Sequence, residues 1–229
     1  MFDHLESAGA LFDGAAVADI GSGTGIFSRQ LIGCGYRVIA VEPNAEMRAA
    51  AEADLWREPL FQSASGCAEA TGLRDCSVDL ICACQAFHWF QPEPARWEFR
   101  RILRPGGSVA LIWNERDAGG SAFMAGYEAL LHEFGGDYEH VVHRNFDEEV
   151  IRDFFAPGLV SLESFPHRQR LDRDGLRGRL LSSSYIPGPG SPRFEAMLAA
   201  LDSLFAGHAC DGAADFAYQT RVFLGRFAD

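Results

Sequence analysis

Three glycines, Gly21, Gly23 and Gly25, alternate directly after the apolar run Val17-Ala18-Asp19-Ile20, and Glu42 ends the next apolar run, Tyr36-Arg37-Val38-Ile39-Ala40-Val41. Without a Cβ these glycines can adopt positive φ and leave backbone amides facing a cleft at the carboxyl end of a strand. An acidic side chain at the tip of a neighbouring parallel strand can accept hydrogen bonds from two ribose hydroxyls. The pair of features points to a bound nucleoside. A nicotinamide dinucleotide would want Gly-x-Gly-x-x-Gly, but the sixth position counted from Gly21 is Ile26. That side chain is expected to be too large for the close strand–helix contact a small residue provides there.

A second set of reactive side chains follows two later apolar runs. Gln85 and His88 lie in Gln85-Ala86-Phe87-His88-Trp89-Phe90 after Asp79–Cys84, and Arg116 lies in Asn114-Glu115-Arg116-Asp117 after Val109–Trp113. Ends of neighbouring parallel strands lie close together, so these residues are expected to face one cleft. A neutral histidine can take a proton from a hydroxyl, and an arginine can grip a carboxylate through two parallel hydrogen bonds.

The elements that must position these groups alternate between strand and helix. A short helix within 3–13 leads in, with Leu5, Ala8 and Phe12 at helical spacing. Helices are expected from Ile26 to Leu31, from Ala45 to Leu55 after Pro43-Asn44, and from Glu93 to Leu103, the last stopped by Pro105-Gly106-Gly107. A weak third strand covers Leu60–Ser63. From 118 to 143 the pattern turns helical and aromatic, with Phe123, Tyr127, Leu130, Leu131 and Phe134 on one face. Asn145-Phe146-Asp147 opens a capped helix to Phe155, a sixth strand starts at Leu159 and extends toward Leu171, and Asp215–Phe223 reads as a last strand. Residues 172–210 are helical in two pieces, broken by Pro187-Gly188-Pro189-Gly190. The pattern is that of one α/β domain with a doubly wound sheet, in which 118–143 and 172–210 are helical insertions able to roof the cleft.

The apolar strand followed by Gly-x-Gly-x-Gly resembles the first motif of the class I S-adenosylmethionine-dependent methyltransferases. Gly66-Cys67-Ala68-Glu69-Ala70, Ala86-Phe87-His88-Trp89-Phe90, Leu103-Arg104-Pro105-Gly106-Gly107 and Trp113-Asn114-Glu115-Arg116-Asp117 fall in the order shown by small-molecule members, including those like trans-aconitate methyltransferase. The resemblance is strongest over about residues 10–117. It implies a mostly parallel seven-stranded sheet whose last strand enters antiparallel between the fifth and sixth. It implies S-adenosylmethionine as cofactor, held by Asp19, Gly21, Ser22, Gly23, Thr24, Gly25, Glu42, Pro43, Met47, Cys67, Ala68, Glu69 and Gln85. Met47 would lie against adenine. Many relatives carry aspartate where Cys67 stands, so selectivity for adenine would rest on backbone groups near Ala68 and on stacking. The lead-in before the first strand is short against that subgroup, whose longer amino-terminal segment helps close the cofactor cleft. The implied reaction methylates a small carboxylate or hydroxyl acceptor, with His88 and Arg116 as the working residues. Two alternatives stay open: the same fold binding cofactor or partner without turnover, and a nicotinamide-dependent oxidoreductase.

Composition narrows the rest. A chain of 229 residues that is 48% apolar can bury a sizeable core, and a formal charge of −12 disfavours a surface that tracks nucleic-acid phosphates. The six cysteines show no Cys-x-x-Cys or metal-ligand spacing, and the histidines, His140 and His143 among them, form no ligand set. Reduced thiols in a cytoplasmic protein are expected, with Cys82 and Cys84 as core packing. Met-Phe-Asp-His-Leu-Glu does not read as a signal peptide, and no run approaches the length of a membrane span.

Overall fold

The computed structural model describes residues 1–136, 138, 148–183 and 185–228. Its chain order is α1 (Phe2–Ser7), β1 (Ala16–Ile20), α2 (Ile26–Gly33), β2 (Arg37–Val41), α3 (Ala45–Leu55), β3 (Phe61–Ala64), β4 (Val78–Cys84) and α4 (Pro92–Ile102). There follow β5 (Leu103–Arg116), α5 (Ala122–Phe134), α6 (Glu148–Phe155), β6 (Leu159–Leu171), α7 (Arg173–Leu181), α8 (Phe194–His208) and β7 (Ala214–Arg226). His140, His143 and the cap expected at Asn145–Asp147 lie outside the described residues.

The seven strands form one sheet in the order β3-β2-β1-β4-β5-β7-β6. Pairing is parallel from β3 to β5, with Ile20 opposite Val41, Asp19 opposite Cys82 and Cys84 opposite Ile112. Strand order reverses between β1 and β4, and an open sheet binds ligand in the crevice at the carboxyl ends beside such a reversal. β7 runs antiparallel to both neighbours. Asp117 N–H donates to the Ala217 carbonyl, and Thr220 donates to Asn114 at 2.7 Å, so numbers rise along one strand as they fall along the other. On its other side, Ser161 donates to the Leu224 carbonyl at 3.3 Å and His167 stacks on Tyr218.

The sequence places the fifth strand too late. β5 already pairs with Val78 at Leu103 and resumes at Ser108 opposite Leu80, so Arg104–Gly107 bulge within the strand's bounds. Pro105 has no N–H for the ladder, which suits it to a bulge.

The chain divides into two compact units. The first comprises Met1–Trp113, Glu148–Ser164 and Arg221–Asp229, and the second Asn114–Asp147 and Phe165–Thr220. Within the first, every residue of β1 is buried, as expected for a strand covered on both faces. α4 buries Ala95, Phe99 and Ile102, and α6 buries Ile151, Phe154 and Phe155. The Phe87 ring meets Phe154 edge-on at 5.0 Å and Trp113 at 6.1 Å, anchoring the segment after β4. Each fully buried aromatic of this kind is worth roughly 1.5–3 kcal/mol over exposure.

The second unit has its own core. The expected apolar face of α5 is buried against Leu176 and Leu180 of α7, Met197 and Leu201 of α8, and Phe216 and Tyr218 of β7. Gly126 lets α8 come close, since a Cβ there would lie 2.5 Å from Leu204 Cδ1.

Candidate active site at the glycine loop

β1 ends at Ile20, and the loop that follows is held by the Val41 carbonyl, which accepts from Gly21 N at 2.9 Å and Ser22 N at 3.2 Å. Gly21, Gly23 and Gly25 have φ of 71°, 57° and 81°. Two of them are also confined by neighbours: a Cβ on Gly21 would lie 2.6 Å from Ala86 Cβ, and one on Gly25 would lie 3.1 Å from Ala51 and Leu55. The close loop–helix approach is therefore at Gly25. Ile26, expected to be too bulky for its place, points outward at 71% exposure, so its size decides nothing about the ligand.

Glu42 is buried, and both its carboxylate oxygens hold backbone: Oε2 accepts from Gly23 N and Oε1 from Asn44 N, each at 2.8 Å. Asn44 in turn caps α3, accepting from Glu46 N and Met47 N at 3.0 Å. One acid thus ties the glycine loop to the start of the next helix. An ionised carboxylate has further lone pairs beyond these two bonds. Met47, in the first turn of α3, is 48% exposed, while Pro43 and Thr24 lie on the surface.

Asp19 lies beneath the loop. Its Oδ2 accepts from Ser28 Oγ at 2.6 Å, while its buried Oδ1 and the buried Ser22 Oγ have no hydrogen-bond partner among the described residues. Burial pushes the Asp19 carboxyl up to about 6, against the pull of the Ser28 hydrogen bonds and with a small push from Glu42. Ser28 went unnoticed in the sequence, because a helix serine nine residues away gives no local signal.

The loop after β3 is tied down by Glu69, which the family resemblance assigns to the cofactor. Its Oε1 accepts from Gln91 N at 2.7 Å. Burial raises its pKa, but that amide and the Cys67 thiol outweigh burial and hold it below the ordinary carboxylate value. Cys67 and Ala70 exchange both backbone bonds, and Ala68 between them is buried.

Gln85 follows β4 with φ of 56°, a left-handed conformation uncommon for a side chain of this kind, and Gln85 N–H donates to the Ile112 carbonyl. Its neighbours Ala86 and Phe90 pack on Gly21, which brings the Gln85–Phe90 segment beside the glycine loop. His88 is exposed, and what burial its ring has lowers its pKa, so it is neutral near pH 7. The Cys84 thiol is pushed up to about 12 by burial, and that of Cys82 also upward, so both are neutral, Cys82 in the core and Cys84 part-buried. Arg116 belongs to the second unit. There its Nη2 donates to Tyr138 Oη at 2.7 Å and its Nε pairs with Glu128 at 3.5 Å.

A cleft of about 480 Å³, lined by Ala16, Arg37, Phe61, Arg74 and Arg104 among others, opens at the amino ends of β1–β3. This is the opposite end of the strands from the glycine loop. Among the described residues, no cluster of His, Cys, Asp or Glu could hold a metal, and no helix is long and apolar enough to cross a membrane.

A family model described as a methyltransferase domain matches residues 18–111, the segment that carries the glycine loop, Glu42, Glu69 and His88. Over 103 residues, 44% of this chain, the sequence is 43% identical to the uncharacterized methyltransferase Rv3342 of Mycobacterium tuberculosis. The match spans 40% of that relative's length. The methyltransferase fold extends well beyond the matched segment. A solved protein from Anaeromyxobacter dehalogenans that carries a type II methyltransferase name superposes with a TM-score of 0.70 at 24% identity, over 92% of this chain and 89% of that one. A phosphoethanolamine N-methyltransferase 2 from Haemonchus contortus, solved with S-adenosyl-L-methionine, gives 0.56 at 16% identity, over 100% of this chain and 52% of that one.

Proposed function

We propose that this chain transfers a methyl group from S-adenosylmethionine to a small organic acceptor bearing a carboxylate or hydroxyl, releasing S-adenosylhomocysteine. The observation that carries the reading is the link from Glu42 to Gly23 within a segment that matches a methyltransferase domain. The residues present fit the cofactor. Asp19 Oδ1 and Ser22 Oγ are buried polar atoms at the loop without partners among the described residues, the left-handed glycines leave the strand end clear of side chains, and Glu42 retains acceptor capacity for ribose hydroxyls.

When bound, the cofactor supplies an electrophilic methyl on a sulfonium. The remaining work falls to the chain. Glu42 holds the ribose and fixes the loop. Ala68, Cys67 and Met47 line the adenine side, and Gln85 lies toward the transferred group. Orientation of two bound reactants can supply on the order of 7–11 kcal/mol of the barrier. A carboxylate acceptor needs no base, whereas a hydroxyl acceptor would use neutral His88 to take its proton, worth roughly 10²–10⁴-fold. Arg116 grips an acidic acceptor through its planar fork.

Calorimetric titration with S-adenosylhomocysteine and, separately, with NAD tests the reading. Binding of the first and not of the second is expected, and the reverse would sink it.

A further inference from the structure

β1 is covered on both faces, but the face of β2 that carries Arg37 and Ile39 is left partly open. Side chains alternate along a strand, and on β2 Val38 and Ala40 are buried while Arg37 is exposed and Ile39 half-buried. Gln62, the register partner of Ile39 on β3, is exposed as well. The connections account for the gap. Helices join β1 to β2, β2 to β3 and β4 to β5, whereas among the described elements none joins β3 to β4. A parallel sheet normally has both faces covered by such crossovers. The cleft of about 480 Å³ at the amino ends of β1–β3 lies here, and all its described lining residues belong to the first unit.

The charge of this lining is opposite to that of the whole chain. The sequence carries 32 acidic residues against 20 Lys and Arg, yet the described residues around the cleft include Arg37, Arg74 and Arg104 and no acid. Arg104 is held from outside the lining by Asp79, whose Oδ2 accepts from its Nη1 at 2.6 Å and from Ala16 N at 2.9 Å. Arg37 and Arg74 form no ion pair among the described residues. Three guanidinium groups less one carboxylate leave a net charge of two at the cleft. Pro59, Leu60 and Phe61 add an apolar wall. Small-molecule sites have volumes of roughly 300–1,000 Å³, and this cleft falls within them. A phosphate monoester carries about −1.5 to −2 at pH 7 on three acceptor oxygens, which matches that charge and the planar forks of arginine.

We propose that this cleft binds a small phosphate monoester with an apolar body, its phosphate held by Arg37, Arg74 and Arg104 and its body laid on Pro59, Leu60 and Phe61. It is a second site, at the opposite end of the strands from the glycine loop, and it rests on no part of the methyl-transfer reading. The net charge favours a dianion over a monoanion, and the apolar wall favours an ester over free phosphate.

The test is calorimetry on the full chain with phenyl phosphate, the monoanion phenyl sulfate and inorganic phosphate, repeated in the presence of excess S-adenosylhomocysteine. Phenyl phosphate should bind several-fold more tightly than either of the others, with the same affinity whether or not S-adenosylhomocysteine is present. Arg37→Gln and Arg74→Gln, which change exposed side chains, should each weaken it by roughly tenfold, the scale of a hydrogen bond to a charged group. Arg152→Gln, which removes the same charge from α6 outside the cleft, should leave it unchanged. No binding of phenyl phosphate at millimolar concentration, or equal affinity in the wild type and the Arg37→Gln, Arg74→Gln double variant, overturns the site. Equal affinity for phenyl phosphate and inorganic phosphate overturns the apolar body, and displacement by S-adenosylhomocysteine moves the anion to the glycine loop and overturns the second site. Binding of a tetraglutamate peptide without binding of phenyl phosphate would also overturn it, in favour of an acidic segment of a protein partner.

Discussion

Glu42 Oε2 accepts the amide of Gly23 at 2.8 Å, so the acid at the end of one strand sets the shape of the loop at the end of the next. A residue expected only to hold a ligand also builds the surface that receives it. Glu42→Ala removes this bond and the one from Asn44 N together. Affinity for S-adenosylhomocysteine should fall by about 1.5–3 kcal/mol, the scale of hydrogen bonds to a charged group, as read by calorimetry. Unchanged affinity in a folded variant would remove Glu42 from the site.

Gly21→Ala should be destabilising by about 1–3 kcal/mol, because it combines φ of 71° with a Cβ placed 2.6 Å from that of Ala86. Adding Ala86→Gly should recover the part that is clash and leave the part that is backbone strain. Urea unfolding of the single and double variants separates the two.

Burial raises the Asp19 carboxyl from 3.8 to about 6, so between those values the folded protein binds a proton that the unfolded chain has released. Stability contributed by this group is therefore greatest below about pH 4 and is lost as pH rises through about 6. At pH 7 the charged form costs on the order of 3 kcal/mol relative to an unshifted acid. Asp19→Asn should raise the urea midpoint at pH 7 and do little at pH 4. The same variant should bind S-adenosylhomocysteine more weakly if the unpartnered Oδ1 serves the ligand. A midpoint gain independent of pH would mean that Asp19 is not the titrating group.

On a carboxylate acceptor, His88→Gln should leave turnover within a few-fold, since an ionised carboxylate needs no base, whereas Arg116→Lys should lower it by about tenfold through loss of the planar fork. On a hydroxyl acceptor the order should invert. Loss of His88 would then abolish an acid limb lying below the ordinary histidine value of about 6.5, in the direction burial shifts this ring. Steady-state turnover across pH on a verified acceptor distinguishes the two cases.

The glycine loop and Glu42 were legible because their spacing is short-range: a buried strand, left-handed turn residues and an acid at the next strand's end are local patterns. The strand order followed from the family resemblance, and the structure has it, with β7 between β5 and β6. What escaped was anything requiring side-chain direction. From its position Ile26 reads as bulk against a helix, yet its side chain faces solvent. The family resemblance assigns Glu69 to the cofactor, and only the fold brings the Gln91 amide to it. The left-handed backbone of Gln85 has no marker in a glutamine. The core of the second unit is illegible for a different reason: Tyr127, Tyr138 and Tyr218 are far apart in the chain, and only the packing of α5 on α8 and β7 gathers them.

The near-contact of Gly21 with Ala86 also bears on how this protein can vary over generations. The two positions are 65 residues apart in the chain but share one volume, so neither can enlarge alone. A saturation library should accept only the smallest residues at 86 and should favour glycine or asparagine at 85, where φ is 56°, while the exposed position 88 tolerates many where folding alone is selected. Selection for methyl transfer should then shrink the tolerated set at 85 and 88 and leave that at 86 unchanged. The difference between the two screens would sort this segment into residues that shape the loop and residues that meet the ligand.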